Sequence, residues 1–385
     1  MLAVIEAVVA ASTLLLYVGS AIELYLGNRK IARLQNIPPL EGGDVPAVSI
    51  VIAARDEERQ VENALGSVLR QDYPNYEVIV VNDRSSDGTG AILDRMARAN
   101  DRLRVVSVEE LPQGWLGKNH ALHMGASLAS GAFILFSDAD IVMDSSVVGR
   151  AMRYASDHRL DHLAIAPHVV PHGFLFNAFL GVFGLFFNLY AKPWKARDPR
   201  SPRHIGIGAF NLVRASAYRA VGGHERIAMR PDDDIKLGKL IKKSGYQQDL
   251  VFGGLLLSVE WYDSVRAMIR GLMKNMFAGL GYSVTAALAA AVAQVLLGFW
   301  PFAALALTSG RVRILNALAV ATMLAIFIGA AKEMKLPLLC AIAFPVAMLL
   351  FAYVVLRSMA VTLRNGGIDW RGTHYSLAEL RANRI

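Results

Sequence analysis

The sequence contains a single cysteine, Cys340, which lies within a long apolar run. One cysteine excludes an intrachain disulfide and leaves no second cysteine for a CxxC zinc or redox motif. Two phosphate-binding patterns are also missing, because no G-x-G-x-x-G follows the first predicted strand and no Walker A motif occurs. These absences argue against a dinucleotide-binding protein and against a P-loop NTPase.

Charge is missing from several long stretches of the chain. None occurs in residues 275–310, 314–331 or 336–356, and residues 7–22 are also uncharged. Because about 20 apolar residues cross a bilayer, we predict one N-terminal transmembrane helix and about three near the C-terminus. The N-terminal run is too long for a signal-peptide core and shows no clear cleavage site, so we predict that it is retained as an anchor.

The formal net charge is +8, which could indicate a nucleic-acid partner. Much of the excess, however, flanks the apolar runs, as at Arg29, Lys30, Arg311 and Arg313. A positive bias beside membrane segments explains this placement at least as well as an acidic partner does. We therefore predict a membrane protein that does not bind nucleic acid.

Between residues 46 and 265 the sequence alternates strand-like and helix-like segments. Short apolar runs at 48–53, 77–82, 103–108 and 132–136 each precede a polar turn, and amphipathic segments separate them. This alternation is typical of an α/β domain built on a doubly wound sheet.

Two carboxylates, Asp138 and Asp140, follow directly on the last of these runs. Ligands of open α/β sheets bind at the carboxyl ends of strands, and two carboxylates held close together there repel each other unless a cation lies between them. Oxygen ligands favour Mg²⁺ or Mn²⁺ over zinc. Asp-Ala-Asp also suits a simple turn, so the residues alone leave both interpretations open.

A second acidic cluster, Asp232–Asp234, comes just after Pro231 and opens a predicted amphipathic helix. Acidic residues are common at helix N-termini, where they act as caps and as partners of the helix dipole. A structural role is therefore the simple alternative to a catalytic one.

Taken together, six motifs resemble the membrane-bound family 2 glycosyltransferases with a GT-A fold. They are Arg-Asp-Glu-Glu at 55–58, Val-Asn-Asp-Arg-Ser-Ser-Asp-Gly-Thr at 81–89, Gly-Lys-Asn-His-Ala-Leu at 117–122, Asp-Ala-Asp at 138–140, Gly-Ala-Phe-Asn-Leu-Val-Arg at 208–214 and Asp-Asp-Asp-Ile-Lys-Leu at 232–237. Each motif is weak alone, but their order matches that of the family over nearly the whole domain. The layout is similar to bacterial hopanoid- or carotenoid-associated and ceramide glucosyltransferase-like members. The implied fold is a Rossmann-like nucleotide-diphospho-sugar transferase domain.

The resemblance implies a donor site. Ala53, Glu57 and Asp83 would line the nucleoside pocket, where a carboxylate such as Asp83 can accept hydrogen bonds from uracil and ribose. Lys118 would lie near the donor. Asp140 would be the more direct ligand of Mg²⁺ or Mn²⁺, with Asp138 nearer the ribose and supporting the metal.

The resemblance also implies an inverting mechanism. The family's Glu-Asp-x-x-Leu pattern matches residues 233–237, so Asp234 would be the general base that deprotonates an acceptor hydroxyl. Here Asp233 stands where the family usually has Glu, and three consecutive acids leave the register open, so Asp233 is the alternative base. Asn211 lies in the loop that corresponds to the family's acceptor side.

The Q-x-x-R-W motif of processive family members is missing. Arg270 and Lys274, spaced i, i+4, could clamp a diphosphate or a lipid phosphate instead, although a basic interfacial helix is an equally good interpretation. The uncharged segment 173–191 cannot cross the membrane once if Asp140 and Asp234 share a site. We predict that it is an interfacial helix.

The predicted organisation is an anchor at 1–27, a catalytic domain at 46–265, an interfacial segment at 266–282, transmembrane helices at 283–363 and a tail at 364–385. One span before the domain and three after it would put the tail opposite the domain, whereas its arginines favour the same, cytosolic side. Either one segment is re-entrant or the tail does not follow the charge rule. The turn at 366–372 has no assigned role.

The sequence therefore predicts a multi-pass protein of the cell membrane, most simply the bacterial inner membrane, with its catalytic domain in the cytosol. It would transfer a sugar from a nucleotide-diphospho-sugar, with a UDP-sugar favoured, to a lipid acceptor. The alternatives are a processive polysaccharide synthase, which would need a polymer-wide channel, and a non-catalytic nucleotide-sugar-binding membrane protein, which would bind the donor without turnover.

Overall fold

The computed structural model describes residues 2–40, 42 and 45–383; residue 1 of the predicted anchor and residues 384–385 of the predicted tail lie outside the described residues. The helices are α1 (Leu2–Asn28), α2 (Val61–Val68), α3 (Thr89–Arg98), α4 (Gly117–Leu128), α5 (Val147–Asp157), α6 (Phe174–Ala191), α7 (Ala215–Ala220), α8 (Asp233–Lys243), α9 (Val265–Gly279), α10 (Val284–Ala293), α11 (Trp300–Leu307), α12 (Gly310–Glu333), α13 (Phe344–Arg364) and α14 (Leu377–Ala382). The strands are β1 (Ala32–Arg33), β2 (Val48–Ala54), β3 (Tyr76–Asp83), β4 (Leu103–Val108), β5 (Phe133–Asp138), β6 (Ile141–Met143), β7 (His162–Val169), β8 (Asn211–Arg214), β9 (Gln248–Val259), β10 (Gly367–Trp370) and β11 (Thr373–Ser376).

The chain packs into two compact units, each made of separate stretches of sequence. The helical unit comprises residues 2–30, 171–192 and 261–368, and the sheet unit comprises residues 31–170, 193–260 and 369–383. The helix α6 thus groups with the other apolar helices, while most of the C-terminal tail groups with the sheet.

The helical unit contains the apolar segments that the sequence singles out. In the part of the chain that the structure describes, five stretches are long and apolar enough to cross a membrane, namely Val4–Asn28, Phe174–Lys195, Val284–Leu307, Gly310–Glu333 and Leu338–Arg364. Large apolar side chains such as Leu15 and Leu307 are exposed on them. Between the helices the packing is close, because the Phe327 ring lies directly against Gly181. Ser358 Oγ also donates to Met273 O and accepts from Phe277 N.

The sheet unit is built on a mixed sheet in the order β1-β9-β7-β8-β5-β2-β3-β4, with β6 paired to β9. The strands β4, β3, β2 and β5 run parallel, whereas β8 is antiparallel to both β5 and β7. After β4 the chain returns past β2 to form β5 on its other side, so the direction of winding changes between β2 and β5. Such a switch point leaves a crevice at the carboxyl ends of the two strands.

Apolar strands explain why this sheet forms. In β2 every residue except Ala53 is buried, and its side chains alternate between two cores. Ile50 and Ile52 pack on one face of the sheet, whereas Val51 packs on the other. Strands covered on both faces have nearly continuous apolar sequences, which is why the sequence pattern located them within one or two residues.

Candidate active site

The switch point brings the predicted donor residues to one edge of the sheet. In the strand register Ala53 of β2 lies opposite Asp138 of β5 on one side and Val81 of β3 on the other. Asp83 is the last residue of β3. Residues that are far apart in sequence therefore end next to each other, as expected for the carboxyl ends of neighbouring parallel strands.

Asp83 is buried, with 3% of its surface exposed, and it is paired with two arginines. Arg84 Nε lies 2.8 Å from Asp83 Oδ1, and Arg55 Nη1 lies 3.6 Å from Oδ2. The start of α4 also approaches this carboxylate so closely that a Cβ atom on Gly117 would overlap Asp83 Oδ2. Only glycine therefore fits at this position without a shift of the helix.

Glu57 lies in the loop after β2. Its backbone N–H donates to Thr89 Oγ1 at 2.8 Å, and its carboxylate accepts from Arg371 Nη2. Burial raises the pKa of Glu57, although the Arg371 guanidinium opposes this effect. Glu57 thus faces the same edge as Asp83, with an arginine from the C-terminal segment beside it.

Lys118, the second residue of α4, links the two acidic clusters. Its Nζ lies 2.8 Å from Asp138 Oδ1 and 3.6 Å from Asp233 Oδ1. Burial alone would lower the pKa of Lys118, but the nearby carboxylates of Asp138, Asp233 and Asp234 raise it above its usual value. The lysine is therefore fully charged and offsets part of the negative charge.

The ionised form of the Asp140 carboxyl group remains electrostatically unfavourable. Burial, followed by the charges of Asp138 and Glu57, raises its pKa to about 7. Its Oδ1 atom is buried and has no hydrogen-bond partner among the described residues. A buried oxygen of this kind normally requires a partner, and a cation would provide one.

The side chains at this edge fit a divalent metal that is completed by the substrate. Within the described part of the chain, no three His, Cys, Asp or Glu side chains form a group that could hold an ion by themselves. Mg²⁺ is usually bound through one or two carboxylates together with phosphate oxygens and water. Asp140 and Asp138 match that donor set.

The glycine loop 206–208 joins the two acidic clusters. Gly208 O accepts from Asp138 N at 3.1 Å, and Gly208 N donates to Asp234 Oδ2 at 2.8 Å. A Cβ atom on Gly206 would overlap the carbonyl oxygen of Asp234, and one on Gly208 would lie 2.7 Å from Asp138 Oδ2. The loop therefore has to be this small for Asp138 and Asp234 to face the same cavity.

The three consecutive aspartates have different surroundings. Asp232 is held by Arg230 at 2.9 Å and by Lys236 at 3.2 Å, which explains it as a structural residue. Asp233 is buried beside Lys118, with 5% of its surface exposed. Burial, followed by the charge of Asp233, raises the pKa of Asp234 to about 7. The assignment of the base to Asp234 or Asp233 stays a prediction.

A small cavity lies between the two acidic clusters. It is lined by Lys118, Leu122, Phe136, Ser137, Asp138, Gly208, Asn211, His224, Asp233 and Asp234. Asn211 is buried at its edge, where its Oδ1 contacts His162 Nε2 and its Nδ2 lies 3.5 Å from Asp234 O. These contacts support the backbone of Asp234, so a role of Asn211 in binding the acceptor stays a prediction.

Arg270 and Lys274 lie on α9 in the helical unit, and their predicted role in phosphate binding also stays a prediction.

Three other residues at the site were not predicted. His224 lines the cavity, Arg371 contacts Glu57, and Tyr375 accepts from Gly117 N at 3.2 Å. The only signal for the last two was the turn at 366–372, and a turn does not reveal what it packs against.

This arrangement of strands and helices defines a fold class, the GT-A fold. The predicted GT-A fold is confirmed by a solved structure, the mannosyltransferase PcManGT from Pyrobaculum calidifontis in complex with GDP-Man and Mn²⁺, at a TM-score of 0.54 and 18% identity. The similarity covers 93% of this chain and 98% of that one.

Sequence comparison identifies a family 2 glycosyltransferase domain within the chain. Residues 49–222 match the family model "Glycosyl transferase family 2". The chain is also 23% identical over 346 residues to the 4,4'-diaponeurosporenoate glycosyltransferase of Staphylococcus aureus strain MRSA252, covering 86% of this chain and 89% of the relative. The same protein from strain USA300 matches with the same identity and coverage. The protein is therefore an enzyme with a family 2 glycosyltransferase domain, as the motifs predicted.

Proposed function

We propose that this protein is an inverting glycosyltransferase that transfers a sugar from a nucleotide-diphospho-sugar to a membrane lipid at the cytosolic face. One observation carries the proposal: Lys118 and the loop 206–208 hold Asp138 and Asp234 on either side of one cavity. A donor diphosphate at Asp138 and an acceptor at Asp234 would then meet across that cavity.

The donor half of the site supports a nucleotide sugar. Asp83, Glu57 and Ala53 lie at the ends of β2 and β3, where a nucleoside would bind. Asp83 can accept hydrogen bonds from uracil N–H and from ribose, which favours a UDP-sugar. PcManGT was solved with GDP-Man, so guanosine donors belong in the test as well.

Mg²⁺ or Mn²⁺ would be held by Asp140 and Asp138, and it would neutralise charge that develops on the leaving diphosphate. The Mn²⁺ in the PcManGT complex supports a divalent ion. Lys118 adds a positive charge beside Asp138. Asp234 takes the proton of the acceptor hydroxyl, whose oxygen attacks the anomeric carbon. The bond to the diphosphate breaks, and its electron pair stays on the diphosphate oxygen, so the configuration inverts in one displacement.

The acceptor is proposed to be a lipid. The S. aureus relative is named for 4,4'-diaponeurosporenoate, and it aligns with this chain over most of both lengths. The apolar helices of the helical unit would keep the enzyme at the bilayer, where such an acceptor is dissolved.

The test is to incubate the purified full-length protein with a panel of UDP- and GDP-sugars, Mn²⁺ and native lipid extract, and to search for a new glycolipid by mass spectrometry. We expect a product that carries one sugar and that disappears when EDTA replaces Mn²⁺. A long polymer would support the processive synthase instead. Donor binding without transfer or hydrolysis would support the non-catalytic protein.

The catalytic carboxylates are tested with three variants and one matched control. Asp234→Asn should lower transfer at least about 100-fold, the usual effect of removing a general base. Asp140→Ala should abolish metal-dependent transfer, and Asp94→Asn, at an exposed site on α3, should leave it unchanged. If Asp233→Asn, and not Asp234→Asn, removes activity, the base is Asp233. Full activity in both Asp234→Asn and Asp140→Ala would refute the proposed site.

A further inference from the structure

The C-terminal segment forms a defined structure on the sheet unit. The strands β10 and β11 make a hairpin whose two turn residues, Arg371 and Gly372, have φ values of +50° and +76°. Positive φ at both central positions is the geometry of a tight two-residue hairpin turn. The following helix α14 begins with a capping box of Ser376 and Glu379. A segment built with these stabilising features holds its side chains in fixed places.

Arg371, at the tip of the hairpin, reaches the loop after β2. Its Nη1 donates to Arg55 O at 2.6 Å and to Asp56 O at 3.3 Å, and its Nη2 donates to the Glu57 carboxylate. One guanidinium thus ties two backbone carbonyls to the side chain of Glu57. The planar fork of arginine suits such a multiple contact, whereas a lysine could satisfy only part of it.

Tyr375, on the second strand of the hairpin, reaches the neighbouring side of the same crevice. It is buried, with 6% of its surface exposed. Its hydroxyl accepts from Gly117 N at 3.2 Å and also hydrogen-bonds to Arg84. Because Arg84 in turn pairs with Asp83 at 2.8 Å, the hydroxyl supports the arginine that orients Asp83.

We propose that the C-terminal hairpin is a wall of the donor nucleotide pocket, and that Arg371 and Tyr375 are positioning residues for Glu57 and Asp83. Arg371, in the turn, contacts Glu57 directly. Tyr375, on β11, supports Asp83 through Arg84. One hairpin thus reaches both carboxylates that are expected to bind the nucleoside. The affinity for the nucleotide therefore depends on a segment more than 280 residues distant in sequence from those carboxylates. This inference rests on the proposed function.

The test measures the Kd of UDP and GDP, and the donor KM and kcat, for the parent and four variants in the full-length protein. Arg371→Ala should raise the Kd of the preferred nucleoside diphosphate and the donor KM by about 10-fold or more, because it removes charge-assisted hydrogen bonds. Tyr375→Phe should raise both about 3-fold or more. In both variants kcat should stay within about 3-fold of the parent. Arg371→Lys should restore part of the affinity, and Arg98→Ala, at an exposed arginine on α3, should change nothing.

Hydrogen exchange of residues 55–57 provides a readout that does not depend on turnover. Exchange should be faster in Arg371→Ala than in the parent, because the loop loses the contacts that fix its backbone. The amides of Asp56 and Glu57, which donate to Ser85 Oγ and Thr89 Oγ1, would then open more often. Affinities within 2-fold of the parent in both Arg371→Ala and Tyr375→Phe would overturn the inference, and so would tighter binding, which would make the hairpin an obstacle to the donor.

The two proposals fail in different ways. If the parent binds UDP or GDP and Asp83→Asn weakens that binding, while the hairpin variants bind normally, only the inference about the hairpin is wrong. If the parent neither binds a nucleoside diphosphate nor transfers a sugar, the proposed function is wrong and the hairpin proposal falls with it.

Discussion

At the scale of single residues, the candidate site is an unfavourable concentration of buried and half-buried carboxyl groups. Burial, followed by the charges of neighbouring carboxylates, raises the pKa of both Asp140 and Asp234 to about 7. Lys118 offsets only part of this charge. Active sites commonly retain such costs because the chemistry requires them, so replacing one of these acids should stabilise the protein while removing its activity.

We expect Asp234→Asn to stabilise the protein at pH 8. An ordinary aspartate in the unfolded chain has a pKa near 3.9, whereas Asp234 in the folded protein has a pKa of about 7. The folded state therefore binds the extra proton between these values, and the stability of the parent falls as pH rises from about 4 to about 7. Asparagine does not ionise, so it avoids this loss of stability. Above pH 7 the free energy of unfolding of Asp234→Asn should exceed that of the parent by roughly 1–3 kcal/mol, and the difference should shrink towards pH 4.

Thermal unfolding without metal or nucleotide, at pH 8 and at pH 4.5, measures this difference. Asp94→Asn, an exposed carboxylate on α3, serves as the control and should show no pH-dependent gain. The Asp234 carboxylate accepts from Gly208 N and from Ile235 N, both at 2.8 Å. An Asp234→Asn variant that is less stable than the parent at pH 8 would show that these hydrogen bonds stabilise the carboxylate more than burial destabilises it.

Sugar transfer should rise with pH through about 7. Asp234 has to be deprotonated to accept the proton of the acceptor, and its raised pKa keeps a large share of it protonated below pH 7. The measurement is kcat between pH 5.5 and 8.5 at saturating donor, acceptor and Mn²⁺. A rate that is constant from pH 6 to pH 8 would argue against a base with this pKa.

At the scale of structural elements, the loop 206–208 and the start of α8 connect the proposed donor side of the site to its acceptor side. The loop passes so close to α8 that a Cβ atom on Gly206 would overlap Asp234 O, and one on Gly238 would overlap Ile205 O. Glycines on both sides of the contact allow two backbones to touch. The position of Asp234 therefore depends on this contact.

Gly206→Ala should impair both the fold and the reaction. Because the obstructing atom is backbone, α8 or the loop must move, which we expect to cost about 1–3 kcal/mol of stability. A shift of about 1 Å in Asp234 should lower kcat at least about 10-fold. The matched control is Gly66→Ala on α2, where the nearest atom is the flexible end of Arg70 and alanine favours the helix. Equal activity of the two variants would contradict the role of the loop.

The elements differ in how well the sequence predicted them. Asp138, Asp140 and Asp83 follow apolar strands, and the convergence of parallel strand ends is a general rule, so their meeting at one edge could be predicted. The antiparallel insertion of β8 between β5 and β7, and the contact of Asn211 with His162, arise from long-range pairing that leaves no local pattern. Arg371 and Tyr375 were missed for the same reason, because a turn signal defines a hairpin but not its partner.

At the scale of the whole molecule, the packing of the C-terminal tail favours one answer to the topology question that charge patterning left open. Residues 193–260 and 369–383 pack in one unit, so they lie on the same side of any membrane that the chain crosses. Among the described residues, three segments that are long and apolar enough to cross lie between them. An even number of crossings would keep both stretches on one side, so we expect that at least one of these three segments does not cross completely. By the same argument we expect that α6 does not cross once, because the chain on both sides of residues 171–192 packs in the sheet unit.

This topology predicts that the tail and the catalytic domain are labelled from the same side. In a Cys340→Ala background, single cysteines are placed at two exposed positions, Arg98→Cys on α3 and Ala378→Cys on α14. A membrane-impermeant thiol reagent should modify both in inside-out vesicles and neither in sealed right-side-out vesicles. Labelling of the two sites from opposite sides would contradict the packing of the tail on the sheet unit.

In the proposed site a nucleotide sugar and an acceptor meet between Asp138 and Asp234. Measuring donor Kd and the rate of sugar transfer side by side, in the parent and in Asp234→Asn, tests this directly. We expect a donor Kd within about 3-fold of the parent and a rate lowered at least about 100-fold, since only the base has been removed. Transfer within about 3-fold of the parent, at unchanged Kd, would contradict this proposal.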